Sequence, residues 1–234
     1  MKIDLHCHSE ASFDCVVPCA ELLERSRARG LGVQALTDHN EIWGAQKLQD
    51  LADAARETDP LTPQIIVGEE VSTLEGEIIG LFLSEVVPRN LSPEETVARI
   101  KGQGGLVLLP HGFDPLKKKR LKPEALARIA ADIDIVETFN ARISRPRWNR
   151  AGASWADAHG LPKSGGSDAH ISADIGDAWT EVPEGVLDTP GALLAALEHG
   201  QVMGQWTHPL LAFGQKVWDS GFEITRRYLK DQLS

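Results

Sequence analysis

Short apolar runs recur along the chain at Ile3–His6, Val33–Leu36, Ile65–Val71, Ile78–Leu83, Leu106–Leu109, Ile133–Thr138 and Pro162–Gly165. Each has the length of a buried strand rather than of a helix. Between them lie amphipathic stretches with readable ends. Pro18 suits a first helical position, and Gly30 suits the residue that closes the same helix. Ser92-Pro93-Glu94-Glu95 reads as a capping box with proline at the first helical position, opening a helix that ends near Gly102. Ala151–His159 reads as another helix, stopped by Gly160. Strand then helix, repeated, predicts the α/β class with a parallel sheet. Roughly seven such units favour a barrel over an open sheet, although periodicity by itself treats the two alike.

After Trp206 the pattern changes. We therefore expect one barrel domain over residues 1–206 and a C-terminal helical extension, 207–234, packed on it. The 234 residues suffice for a single α/β barrel, and 42% hydrophobic with 25% charged residues is an ordinary globular balance. No stretch approaches the roughly 20 apolar residues of a membrane span, and Met1–His6 carries no apolar segment of a secretion signal. Cys7, Cys15 and Cys19 are odd in number and match no standard thiolate spacing, which points to small buried residues in a reducing cytoplasm. A formal charge of -10 should repel a nucleic acid backbone, except where bound cations reverse the sign locally.

Candidate chemistry comes from the histidines. Five of the eight, His6, His8, His39, His111 and His170, fall at ends of the apolar runs, where barrels build their sites. In His6-Cys7-His8 an extended chain turns both imidazoles to one face and Cys7 to the other, and Asp168-Ala169-His170 repeats that spacing. Asp38-His39, Glu69-Glu70, Pro110-His111-Gly112 and Glu137 stand at other strand ends. Alone, each is weak. Recurrence on separate strands at one side of the fold predicts a multinuclear metal site, and nitrogen with carboxylate oxygen suits zinc, iron or manganese.

Five motifs occur in order: Asp4-Leu5-His6-Cys7-His8-Ser9, Thr37-Asp38-His39-Asn40, Gly68-Glu69-Glu70-Val71-Ser72-Thr73, Pro110-His111-Gly112 and Gly166-Ser167-Asp168-Ala169-His170. Over Asp4 to about Thr180 the chain resembles the PHP family, named for polymerase and histidinol phosphatase domains. The resemblance implies a distorted TIM-like (β/α)7 barrel with two or three divalent ions at the C-terminal ends of its strands. It implies that His6, His8, Glu70 and Asp168 surround a first ion, and that Glu70 bridges to a second held by His111 and Glu137. Asp14, His39 and His170 would hold the third. Some relatives have histidine in place of Asp14, and histidine or cysteine in place of Glu137; the harder ligands here favour manganese or iron over zinc.

Such a site implies a metal-dependent phosphoesterase, a hydrolase of phosphomonoesters or phosphodiesters on a small-molecule or nucleotide substrate. A bridging cation pair lowers the pKa of bound water and supplies a hydroxide nucleophile without serine or cysteine. Glu70, Asp168 and His170 are the expected catalytic residues; Asp168 or the third ion would serve the leaving alkoxide. Arg142 and Arg145 follow a site-bearing strand and suit a phosphate, and Trp43 could stack on a ring. Lys117–Arg120 is a charge run, more often solvated than functional. A competing reading is an exonuclease on short single-stranded nucleic acid, which needs a basic groove with aromatics. An amidohydrolase-type deaminase fits less well, because those barrels bridge their metals with a modified lysine and Glu69-Glu70 offers none.

Overall fold

The computed structural model describes residues 1–208, 210 and 214. The expected extension over 207–234 lies almost wholly outside them. Strands and helices follow in the order β1 (Lys2–Asp4), α1 (Cys19–Ala28), β2 (Leu31–Leu36), α2 (Trp43–Arg56), β3 (Gln64–Thr73), β4 (Gly76–Leu81), α3 (Pro93–Gly102), β5 (Leu106–Leu109), α4 (Pro123–Ile129), β6 (Ile135–Asn140), α5 (Pro146–His159), β7 (Lys163–Gly166), β8 (Ala178–Glu181), α6 (Pro190–Leu197) and β9 (Gln201–Gly204). The Ser92–Glu95 capping box forms as read, with each side chain bonding the other residue's backbone N–H. Helix α5 starts earlier than its pattern suggested, at Pro146, a position proline favours. No helix among the described residues is long and apolar enough to cross a membrane.

The strands form one sheet in the order β7-β6-β5-β4-β3-β2-β1-β8-β9, curled into a nearly closed barrel. Closure runs between the segments that follow β1 and β7: Leu5 N donates to Gly165 O, Asp168 N to His6 O and His8 N to Ala169 O, at 3.4, 2.8 and 3.1 Å. Two features depart from an all-parallel βα repeat. Strand β4 is antiparallel to both neighbours, because Leu74 and Glu75 alone separate it from β3 and no helix fits in so short a connection. Strands β8 and β9, connected through α6, add an antiparallel pair beside β1, in a stretch whose apolar pattern is too short to read.

Strand alternation divides the core. Ile3, Leu5, Val33, Ala35, Ile66, Ile79, Leu81, Leu106, Leu108 and Ile135 pack together with Leu193 and Leu197 of α6. Leu36, Val67, Ile78, Val107, Leu109 and Val136 instead meet Leu22, Leu48, Ile100 and Ala156 of the flanking helices. Both faces of the central strands β2 to β6 are therefore buried, the condition under which strands read as continuous apolar runs. Cys7, Cys15 and Cys19 are free and buried in the second group.

Candidate metal centre

The segment leaving β1 carries His6 and His8, both fully buried, with Cys7 turned outward into the helix-side core. Asp4 ties this segment to the one after β7, since its Oδ1 accepts from His6 N at 3.2 Å and from Ser167 N at 3.0 Å. Burial outweighs these hydrogen bonds and pushes the Asp4 carboxyl up to about 7. Three residues at this end adopt left-handed backbone without being glycine: Asn40 (φ 57°), His111 (φ 30°) and Asp168 (φ 53°). Strain of this kind persists only where surrounding structure over-determines it, and it concentrates at functional sites.

Glu70 is the hub. Its carboxylate lies 3.5 Å from His6 Nε2, 3.4 Å from His8 Nε2, 3.2 Å from His39 Nδ1 and 3.0 Å from His111 Nε2. Glu69, one residue earlier, points the other way and accepts from Val87 N at 2.8 Å. Asp168 Oδ1 stands 3.7, 3.4 and 3.6 Å from His6, His8 and His170. Asp14 reaches His170 Nε2 at 3.0 Å and His39 Nε2 at 3.7 Å. Eight of the nine expected ligand residues thus converge on one centre.

The ninth, Glu137, is turned behind it. Its Oε1 bonds His6 Nδ1 at 2.9 Å, and its Oε2 accepts from His111 N at 2.6 Å and Asn140 Nδ2 at 3.0 Å. Gly166 makes room for this, as a Cβ there would sit 2.2 Å from Glu137 Oε1. The carboxylate facing the cleft in its stead is Glu77, 3.5 Å from His39 Nδ1 and 4.0 Å from His111 Nε2. The apolar run of that strand begins only at Ile78, which by pattern puts Glu77 in the turn. A carboxylate heading an apolar strand seven residues after Glu70 was the available signal.

The backing hydrogen bonds decide which imidazole nitrogens are bare. Ser12 Oγ donates to Asp38 Oδ1 at 2.7 Å, so its contact with His8 Nδ1 at 3.1 Å takes a proton from the ring. His170 Nδ1 meets the carbonyl of Asp168 at 2.8 Å, so it too must be the donor. Burial holds both rings below the ordinary histidine range, hence neutral. Their Nε2 lone pairs consequently face carboxylate oxygens: acceptor opposes acceptor. Burial would lower His6 as well, but Glu137, Glu70 and Asp168 outweigh it and raise that ring. Burial and the charge of Glu70 push Glu77 up to about 8. Cations placed among these groups would resolve each of the conflicts, and mixed nitrogen and oxygen donors suit divalent transition metals. The donor set fits such ions, with donor atoms of His6, His8 and Glu70, for example, within 4.8 Å of one another.

A cleft of about 300 Å³ opens above, lined by Phe13, Asp14, His39, Glu70, Glu77, His111, Lys117, Lys118, Lys119, Arg142, Asp168 and His170. Lys117, in the run expected to be solvated, turns inward and its ammonium contacts Asp168. Arg142 lines the cleft, its guanidinium 3.8 Å from Asp174. Arg145 is exposed at the N-cap of α5 and Trp43 is exposed at the start of α2; neither lines the cleft. The aromatic at the rim is Phe13, which stacks on His39 at 5.2 Å. His159 and His199 stand apart, at the ends of α5 and α6, and His159 bonds the Trp155 carbonyl.

Two family models match the chain: "PHP domain" over residues 4–132 and "PHP-associated" over residues 146–202. A 5'-3' exoribonuclease of Haemophilus influenzae is 40% identical across 95% of this chain and 78% of its own length. A protein of Methanocaldococcus jannaschii is 34% identical across 82% of this chain and 75% of its own. Among solved structures, a two-domain protein from Bacteroides vulgatus, described as containing a predicted PHP-like metal-dependent phosphoesterase, superposes with a TM-score of 0.67. That match covers 92% of this chain and 69% of the other at 19% identity, which speaks to fold alone. With more than half of its length matched by the family's own model, the chain belongs to the PHP domain family.

Proposed function

We propose that the protein is a metal-dependent hydrolase of phosphate esters. One observation carries this reading: neutral imidazoles with bare Nε2 atoms face buried carboxylates at the floor of a cleft whose rim bears lysine and arginine. His6, His8, Glu70 and Asp168 would hold one ion, Glu70, His111 and Glu77 a second, and Asp14, His39 and His170 a third. Manganese or iron suits this mixed set, with its four carboxylates, better than zinc. Divalent ions held there would supply an acidified water for attack and positive charge for the phosphate.

The remaining steps fall to the chain's own groups. Glu137 holds His6 by its Nδ1, and the Asp38–Ser12 pair holds His8 in the same way, fixing both rings before substrate arrives. Lys117 and Arg142 offer donors to phosphate oxygens within the same cleft. Asp168 and His170 would stay with the ions in the floor, and Lys117, whose ammonium contacts Asp168, is the protonated group in the cleft that could serve the departing alkoxide. Phe13 and its stack on His39 shield one side of the reacting centre from water.

The test is purification without chelators, elemental analysis, and a phosphate-release screen with Mn²⁺. It should span sugar phosphates, histidinol phosphate, nucleotides, cyclic nucleotides and dinucleotides. A folded sample that takes up no transition metal and releases no phosphate would sink the proposal. A second reading, an exonuclease on short single-stranded nucleic acid, is favoured by the exposed Phe13 beside the lysines and by the name of the Haemophilus influenzae relative. Turnover that rises with oligonucleotide length and falls steeply with salt would select it.

A further inference from the structure

A second hollow, of about 460 Å³, lies over the β3–β4 turn beside the metal cleft. The two share Phe13, Glu77, Lys118 and Lys119, so they form one continuous surface. Its basic wall follows from backbone geometry. Glu77 N donates to Lys119 O and Lys122 N to Glu75 O, both at 2.8 Å, which lays the 117–122 loop against the hairpin turn. Gly76 permits that approach: its φ is +130°, and a Cβ there would come 2.4 Å from Leu121 Cα. With Leu121 buried and Lys117 turned into the cleft, Lys118, Lys119 and Lys122 are left on the outside.

Arg89, Lys118, Lys119, Arg120 and Lys122 line the hollow against only two carboxylates. Those two are already engaged, Glu75 by Arg128 and Glu77 by Lys119 at 3.2 Å. Arg89, Lys118, Arg120 and Lys122 make no ion pair among the described residues. On a chain of net charge -10, unbalanced cations gathered in one concavity run against the surface as a whole. A merely solvated face would need no aromatic, yet Phe13 is 69% exposed at the junction of the two hollows, with Lys119 Nζ 5.3 Å from its ring centre. An exposed ring flanked by cations is the combination that takes a stacked base and the phosphates on either side of it.

We propose that this hollow is a subsite for single-stranded polynucleotide. With a terminal phosphate in the metal cleft, the adjoining base stacks on Phe13 and the following phosphates lie along Lys118, Arg120, Arg89 and Lys122. The proposal rests on the hydrolase reading above and adds length: substrates of two or more nucleotides are preferred to a lone phosphomonoester.

Binding and turnover separate the two ideas. In the full chain with chelator, anisotropy of a labelled, 5'-phosphorylated hexanucleotide should report binding, in ribo and deoxy form alike. Arg89→Ala with Lys122→Ala, at the far end of the hollow, should weaken it about tenfold and reduce the log–log salt slope by about 1.4, the value for two lost phosphate contacts on a single strand. With Mn²⁺, the same double variant should raise KM for the hexanucleotide far more than for a mononucleotide. Unchanged affinity and salt slope in a variant that still hydrolyses small phosphate esters would overturn the subsite and leave the hydrolase standing. Altered binding in a protein that hydrolyses no phosphate ester would keep the subsite and remove the hydrolase.

Discussion

Three of the five imidazoles at this centre are held from behind before they face the cleft. Glu137 backs His6, Ser12 backs His8, and the Asp168 carbonyl backs His170. Removing a backing group commonly costs 10- to 100-fold in metal affinity, so Glu137→Gln should weaken Mn²⁺ binding by about that factor in a protein that still folds. A calorimetric titration would read it, and unchanged affinity would return Glu137 to a purely structural role. His8→Ala and Asp168→Asn remove groups from the centre itself. Both should abolish turnover and lower metal content by elemental analysis, with the far-UV dichroism unaltered. Gly166→Ala should disturb the same network, because the new methyl would lie 2.5 Å from His6 Cβ as well as against Glu137. A stability loss of about 1–3 kcal/mol in urea unfolding is expected, together with weakened metal binding. His6, His8, His39, Glu70, His111, Asp168 and His170 were all legible as candidates, because strand ends and two-residue spacing are properties of the chain. Glu77 and the retreat of Glu137 were not, since which carboxylate faces the cleft depends on where β4 begins and on a gap at Gly166.

Among the elements, the α3 capping box was readable because its donors and acceptors lie three residues apart. Ser92→Ala should cost about 1 kcal/mol of unfolding free energy and leave turnover unchanged, since α3 does not reach the cleft. The β3–β4 hairpin is the element on which the site most depends: it carries Glu70 outward and Glu77 back. Gly76→Ala there would force an unsuitable φ and a clash with backbone, so it should destabilise by more than about 2 kcal/mol. It should also displace Lys117 from the cleft. A crystal structure of that variant with the 117–122 loop unmoved would contradict this. The antiparallel direction of β4 escaped the apolar pattern, which has the same period in either direction.

Across the whole molecule, closing the barrel gathers several carboxylates and imidazoles that repel or frustrate one another without cations. Bound ions should therefore stabilise the fold as well as activate it. An ion at a thousand times its dissociation constant adds about 4 kcal/mol, and in a domain of this size that is on the order of ten degrees of melting temperature. Differential scanning calorimetry with and without EDTA would measure the shift; identical midpoints would argue against occupied sites. The net charge of -10 belongs to this scale too, and its local reversal along the 117–122 loop became visible only once that loop was laid against the hairpin.

By itself, the order of residues determined the α/β class, the cap of α3 and the histidine-bearing strand ends, because these rest on spacing along one backbone. Only the tertiary structure decided that Glu77 faces the cleft, that Phe13 rather than Trp43 stands at its rim, and that Lys117 turns inward. Those outcomes depend on contacts between segments tens of residues apart, and local periodicity carries no record of which distant side chains compete for the same space.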